Sequence, residues 1–317
     1  MSVHPWNAPL LQRLSAETLP HALLLSGAAG IGKRELALAL AARLMCERGD
    51  ACGVCNACRW LAQGAHPDLR VIEPEMDEDS GKVRPEIRIE QIRTMTAALS
   101  LSAHQHGWRI VVICPVERMN AAAANALLKT LEEPPPQTLL ILVSHHPRRL
   151  LATVRSRCRL VAVGLPPTEL ARDWLLAQGV ESAEDLLAEA GGAPLAALEL
   201  ADAERSRLRE GWIAALARPD LPSLLPLAAG AKDSLAEAHG WLTRWLHDLA
   251  GQRLAAIVRY FPRQTPVLTQ LAGQADLMRL LSLQKRLQRD ARLLRHPLNP
   301  QLLVEGWLIE YAGVFSK

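Results

Sequence analysis

Aromatic residues are scarce in this chain: two Tyr, two Phe and eight Trp make up 4% of 317 residues, whereas 49% are hydrophobic. A core of ordinary size must therefore be built mainly from Leu, Ala, Val and Ile. No apolar run reaches the roughly 18 residues that a bilayer-crossing helix needs. The opening Met1-Ser-Val-His-Pro-Trp has neither the basic start nor the apolar stretch of a secretory signal, so the expected location is cytoplasmic. Charge of one sign is lacking too: 36 Lys and Arg against 33 Asp and Glu leave a net +3, too little to argue nucleic-acid binding from composition. The length suits two or three domains, and the apolar content excludes a disordered chain.

Two further absences fall inside a motif. Leu23-Leu24-Leu25-Ser26 reads as a strand entering Gly27-Ala28-Ala29-Gly30-Ile31-Gly32-Lys33-Arg34 and then the apolar helix Glu35–Leu44. This is the G-x-x-x-x-G-K phosphate loop, with Arg34 where Ser or Thr would ligate magnesium. Gly27, Gly30, Gly32 and the helix N-terminus can still cradle an anion, and Lys33 can still meet a phosphate. Arg34 brings a positive charge toward the place of the metal. Downstream, Ile110 to Ile113 reads as a buried strand and Asn120 as the N-cap of an alanine-rich helix that Pro134, Pro135 and Pro136 stop. Cys114 and Pro115 stand where a working ATPase carries an Asp for the metal and a Glu for the attacking water. The expectation is a relic phosphate loop with doubtful ATP occupancy; a glycine-rich turn with no ligand is the alternative.

Cys46, Cys52, Cys55 and Cys58 follow the phosphate-loop helix as C-x5-C-x2-C-x2-C. Four sulfurs at this density suit a closed structural Zn2+ site, and the lack of a secretory signal argues against disulfides. An iron–sulfur cluster is the rival, but Arg59-Trp60-Leu61-Ala62 replaces the x3-Cys-Pro continuation of the ferredoxin pattern.

Strand-type runs at Leu23–Leu25, Leu69–Ile72, Ile110–Ile113, Leu139–Val143 and Leu160–Val163 alternate with helical stretches, which predicts an α/β domain ending near Gly164. Pro74–Pro85 is acidic and turn-rich and reads as an exposed loop. Arg148–Arg155 reads as a helix ending at Ser156-Arg157-Cys158, and everything past Gly164-Leu165-Pro166-Pro167 reads as helical.

The run Asn125-Ala-Leu-Leu-Lys-Thr-Leu-Glu-Glu-Pro-Pro, the Ser156-Arg157-Cys158 triplet, the phosphate loop and the cysteine insert together resemble the AAA+ clamp-loader family of bacterial replication. Pro5-Trp6, His21-Ala22-Leu23-Leu24, His66-Pro67-Asp68, Ile89-Glu90-Gln91-Ile92-Arg93 and Leu298-Asn299-Pro300-Gln301-Leu302-Leu303 extend the likeness over most of the chain. The altered Arg34, Cys114 and Pro115 resemble the branch with a defective ATP site, the stator, more than the ATP-hydrolysing gamma/tau branch. The resemblance implies an AAA+ P-loop domain over residues 1–164 with the zinc insert at about 46–58, a helical lid over 165–205 and an all-α collar over 206–317.

It also implies a role for Arg157, with Ser156 and Cys158 beside it: an arginine finger reaching the ATP of a neighbouring subunit, so that a chain without its own ATPase still contributes to hydrolysis in trans. The alternative is that Arg157 is one of five arginines in 148–159 forming a solvated basic face. His145 falls in the region of the family's polar sensor, and Leu195 about where a second sensing arginine stands. The implied partners are gamma/tau and delta subunits in a hetero-oligomeric ring and, through that ring, the sliding clamp and primed DNA, with no membrane. Two other classes remain open: a gamma/tau-like active ATPase, and a zinc protein that reads nucleic acid, although the insert lacks interleaved basic and aromatic residues.

Residues 206–317 carry 15 Lys and Arg against 9 Asp and Glu. A predicted helix over Leu277–Arg295 sets Leu280, Leu287, Ala291 and Leu294 against Lys285, Arg289, Arg292 and His296. That pattern fits an amphipathic collar helix with a solvated face; DNA contact is the alternative.

Overall fold

The structure is a computed structural model that describes residues 3–77, 81, 83–100, 107–295 and 298–316. Part of the loop expected over 74–85, and His296, lie outside the described residues. Two compact units form, Met1–Leu170 and Ala171–Lys317.

In the first unit, a 3-10 turn at Pro5–Asn7 leads into α1 (Ala8–Ala16), followed by β1 (Ala22–Ser26), α2 (Lys33–Met45), α3 (Asn56–Ala62), β2 (Leu69–Ile72) and α4 (Ile89–Ser100). Then come β3 (Arg109–Ile113), α5 (Ala121–Glu132), β4 (Thr138–Ser144), α6 (Ala152–Arg155) and β5 (Arg159–Ala162). The five strands form one parallel sheet in the order β2-β3-β4-β1-β5. Its three middle strands are buried on both faces, which is why they read as unbroken Leu, Ile and Val rather than as an alternation. Each expected strand is present within a residue of its expected ends.

The chain leaves β1 toward one side of the sheet and returns to its other side as β5. This reversal opens a crevice beyond the carboxyl ends of the strands. Register then decides which residues meet there. Ser26 pairs with Ser144, and Ile113 pairs with Leu142. The residues that follow, Gly27, His145 and Cys114, therefore emerge at the same end of the sheet.

One expected helix is broken. Residues 147–149 form a 3-10 turn, Leu150 and Leu151 are extended, and only Ala152–Arg155 is α-helical. Leu150 turns in to pack against the buried cluster that contains Leu131 and Val154, and that packing outweighs helical continuity.

In the second unit, α7 (Thr168–Ala177) crosses the boundary and is followed by α8 (Ala183–Glu189), α9 (Pro194–Leu200) and α10 (Ala203–Leu216). The remaining helices are α11 (Leu221–Leu224), α12 (Pro226–Ala229), α13 (Ala231–Ala255), α14 (Thr265–Gln274), α15 (Leu277–Asp290) and α16 (Pro300–Gly313). A small buried cluster spans Ala171 to Ala197, and a separate, larger one spans Trp212 to Val314. The larger core gathers the scarce aromatics: Trp212, Trp241, Trp245, Trp307 and Tyr311 are all buried. The Trp245 indole donates to the Tyr311 hydroxyl at 2.8 Å, which donates in turn to the Leu216 carbonyl at 2.7 Å.

The basic helix ends at Asp290 rather than Arg295. Asp290 accepts from Trp307 and Arg286 at the helix end, and the chain then turns so that Leu294 packs on the core. Among the described residues no helix is long and apolar enough to cross a membrane.

Candidate functional site

The phosphate loop lies between β1 and α2, with Gly30 and Gly32 at positive φ. At Gly32 (φ +78°) a side chain would be strained and would also run into His4. The N-terminal segment of the chain bonds the last carbonyls of the loop. Trp6 Nε1 donates to Ile31 O at 2.9 Å, and Asn7 Nδ2 donates to Ile31 O at 2.8 Å and to Gly32 O at 3.2 Å. Lys33 is 2% exposed, and its ammonium donates to Gly27 O at 2.9 Å and also to Ala28 O. Burial pushes its pKa down to about 8.

Arg34 turns the other way, onto Glu73 just past β2, through Nε to Oε1 and Nη2 to Oε2. The positive charge expected near the metal's position is thereby matched by a carboxylate. Cys114 is 6% exposed, and burial pushes its thiol up to about 12, so it stays protonated and offers no ligand to a hard cation. The Cys114–Pro115 bond is cis. From β4, His145 and His146 each direct a backbone N–H to Glu117 Oε1, at 2.8 and 3.1 Å. Burial, with Lys33 adding, pulls the His145 imidazole down to about 4, so it is neutral at physiological pH. Leu195, the other sensor-like position, is the second residue of α9 in the second unit.

The cysteines converge. One ligand atom from each of Cys46, Cys52, Cys55 and Cys58 lies within 4.8 Å of the others, and the Cys46 and Cys55 sulfurs are 4.0 Å apart. A tetrahedron with Zn–S bonds of about 2.3 Å has sulfur–sulfur edges of roughly 3.8 Å, so the cluster fits zinc after a small contraction. Backbone donors prepare the thiolates. Cys46 Sγ accepts from Arg48 N and Cys52 N at 3.4 Å each, and Cys55 Sγ caps α3 by accepting from Cys58 N at 3.4 Å. Burial would raise the Cys46 thiol, but these N–H groups pull it down to about 6, whereas burial pushes Cys58 up to about 12.

Arg157 stands apart from both clusters, two residues beyond α6. Its Nη2 lies 2.5 Å from Glu132 Oε1 at the end of α5, and its Nη1 donates to Thr153 O at 2.9 Å. About a third of the side chain (34%) is exposed. Ser156 Oγ bonds Thr153 O at 3.1 Å. Cys158 Sγ lies 3.3 Å from Val154 O, and burial pushes its thiol up to about 11. Cys158 is thus an anchor of the turn rather than a reactive thiol. Arg159 pairs with Glu17, while Arg148, Arg149 and Arg155 are exposed.

Sequence reasoning missed the acids that meet these groups, Glu73, Glu117 and Glu132, because pairs formed across 25 to 40 residues leave no periodic trace. Nothing around Trp6 in the sequence points to its bond with the phosphate loop, 25 residues away.

Residues 6–166 match the family model described as DNA polymerase III, delta subunit, and residues 199–312 match the one described as DNA polymerase III, delta subunit, C terminal. The chain is 36% identical to the DNA polymerase III subunit delta' of Pseudomonas aeruginosa, with 98% of each chain covered. It is 37% identical to the Yersinia pestis subunit of the same name, covering 100% of this chain and 97% of that one. The tau subunit of Escherichia coli is 35% identical over 152 residues, 47% of this chain and 22% of tau.

Proposed function

The chain belongs to the DNA polymerase III delta' subunit family, and from that premise we propose that it is the stator of a cytoplasmic clamp loader. It holds one end of a ring with gamma/tau and delta subunits, does not hydrolyse ATP itself, and supplies Arg157 to the ATP site of a neighbour. The ring places the sliding clamp on primed DNA, and the chain has no nucleotidyl-transfer chemistry beyond that of the polymerase it serves. Residues 1–164 are the AAA+ module with zinc held by the four cysteines, 165–205 its lid, and 206–317 the collar through which the ring assembles.

The observation that carries this reading is the state of the phosphate loop in a chain otherwise similar to delta' subunits end to end. Arg34, paired with Glu73, stands where Ser or Thr would ligate magnesium, and protonated Cys114 with Pro115 stands where a working ATPase carries its Asp and Glu. A gamma/tau-like ATPase needs a hydroxyl at position 34 and acids at the end of β3. Arg157 lies in the Ser156-Arg157-Cys158 triplet with its side chain partly exposed, which supports delivery to a neighbour.

The reading is tested by mixing the purified chain with gamma/tau and delta subunits and weighing the assembly by native mass spectrometry. A defined hetero-oligomer that includes this chain, from a protein that alone turns over no ATP, is expected. A chain that hydrolyses ATP alone, or stays out of the assembly, contradicts it.

A further inference from the structure

Arg157 is not merely present at the surface; its guanidinium is held at two points. Leu131 and Val154 are each 1% exposed and belong to one buried cluster, so the ends of α5 and α6 are anchored in common. Glu132 follows the first anchor by one residue, and Arg157 follows the second by three. Their ion pair joins two points that the core has already fixed. Thr153 O takes the other terminal nitrogen at 2.9 Å. A guanidinium has five N–H groups, and these two contacts use one on each terminal nitrogen, which leaves three for an incoming phosphate. A long, otherwise free arginine would lose side-chain entropy on meeting a phosphate; one clamped by a carboxylate has already lost much of it.

We propose that Glu132 is the positioning residue of the arginine finger: it sets the rotamer of Arg157 so that the remaining N–H groups face the neighbouring subunit's ATP. The inference rests on the trans-finger reading of Arg157 and adds to it a residue that touches no nucleotide. Because Glu132 acts through geometry, its loss slows the chemical step without altering how tightly the neighbour binds ATP. Half of the Glu132 side chain is exposed (50%), so the pair contributes little to folding.

The test is single-turnover ATP hydrolysis by the reconstituted ring, where the Arg157→Ala variant identifies the kinetic phase that belongs to the adjacent site. Glu132→Ala is expected to slow that phase about two- to fivefold, the range an exposed ion pair of modest strength allows. Glu132→Gln, which keeps a hydrogen-bond acceptor, is expected to fall between Glu132→Ala and wild type. Nucleotide KM, ring assembly and thermal stability of the free chain remain at wild-type values. In the Arg157→Ala background, Glu132→Ala adds nothing. Wild-type kinetics in Glu132→Ala beside a slow Arg157→Ala overturn the positioning role and leave the finger standing. A Glu132→Ala effect that persists without Arg157 also overturns it. If Arg157→Ala itself runs at the wild-type rate, the finger reading fails, and the positioning role with it.

Discussion

The Lys33 ammonium donates to the Gly27 carbonyl oxygen at 2.9 Å, so the phosphate-loop lysine satisfies its own loop. Arg34, Cys114 and Pro115 stand at the positions where an ATPase would hold magnesium and direct water. The isolated chain is therefore expected to show no ATP turnover above background in a coupled phosphate-release assay, and Lys33→Ala is expected to change nothing in that assay. A turnover that disappears in Lys33→Ala would show that the loop opens and works.

Metal analysis of protein purified without chelator is expected to give one zinc per chain, bound by Cys46, Cys52, Cys55 and Cys58. Structural zinc in small modules supplies on the order of 10 kcal/mol of apparent binding energy, so its removal should release residues 46–58 to rapid amide exchange. Cys55→Ser should lower zinc content and raise exchange in the same segment. Iron in place of zinc, or a segment equally protected after chelation, would contradict the assignment.

His145 provides a pH signature. Its folded-state value, about 4, lies below the ordinary 6.5, so the unfolded chain takes up the proton first as pH falls. The stability this group contributes is fully present above about 6.5 and is lost as pH falls toward 4. Urea denaturation of wild type and His145→Asn should therefore show wild type losing ground to the variant between pH 7 and pH 4. A constant difference across that range would rule out a half-buried imidazole kept neutral.

In the second unit, Asp248 is 0% exposed and accepts backbone N–H bonds from Arg259 at 2.9 Å and from Tyr260 and Phe261 at 2.8 Å each. Asp248→Ala strands these donors and is expected to cost about 3 kcal/mol or more by urea denaturation. Asp248→Asn, which keeps an acceptor, should cost less. A loss below roughly 1 kcal/mol for the alanine variant would mean that water takes over the bonds.

What could be read from the sequence divides along physical lines. The five strands and the cysteine cluster were legible because a doubly buried parallel strand must be apolar throughout and a metal site must concentrate its ligands. The phosphate loop was legible from its glycines, and its defects from Arg34, Cys114 and Pro115. The break before α6 was not, because Leu150 leaves the helix for a tertiary contact that no local propensity encodes. Nor were the carboxylates opposite Arg34 and Arg157, since an exposed glutamate in a helix or loop looks the same whether or not an arginine lies across from it.

The proposal that a chain with an altered phosphate loop acts on a neighbour's ATP is tested most directly by ATP hydrolysis in the reconstituted ring carrying Arg157→Ala. The variant is expected to fold and assemble as wild type, because a partly exposed arginine adds little to stability. Hydrolysis at the adjacent site should fall on the order of a thousandfold, as for arginine fingers generally, and steady-state turnover only by that site's share. An Arg157→Ala ring that assembles normally and hydrolyses ATP at the wild-type rate in every phase would contradict the claim and leave the chain a scaffold.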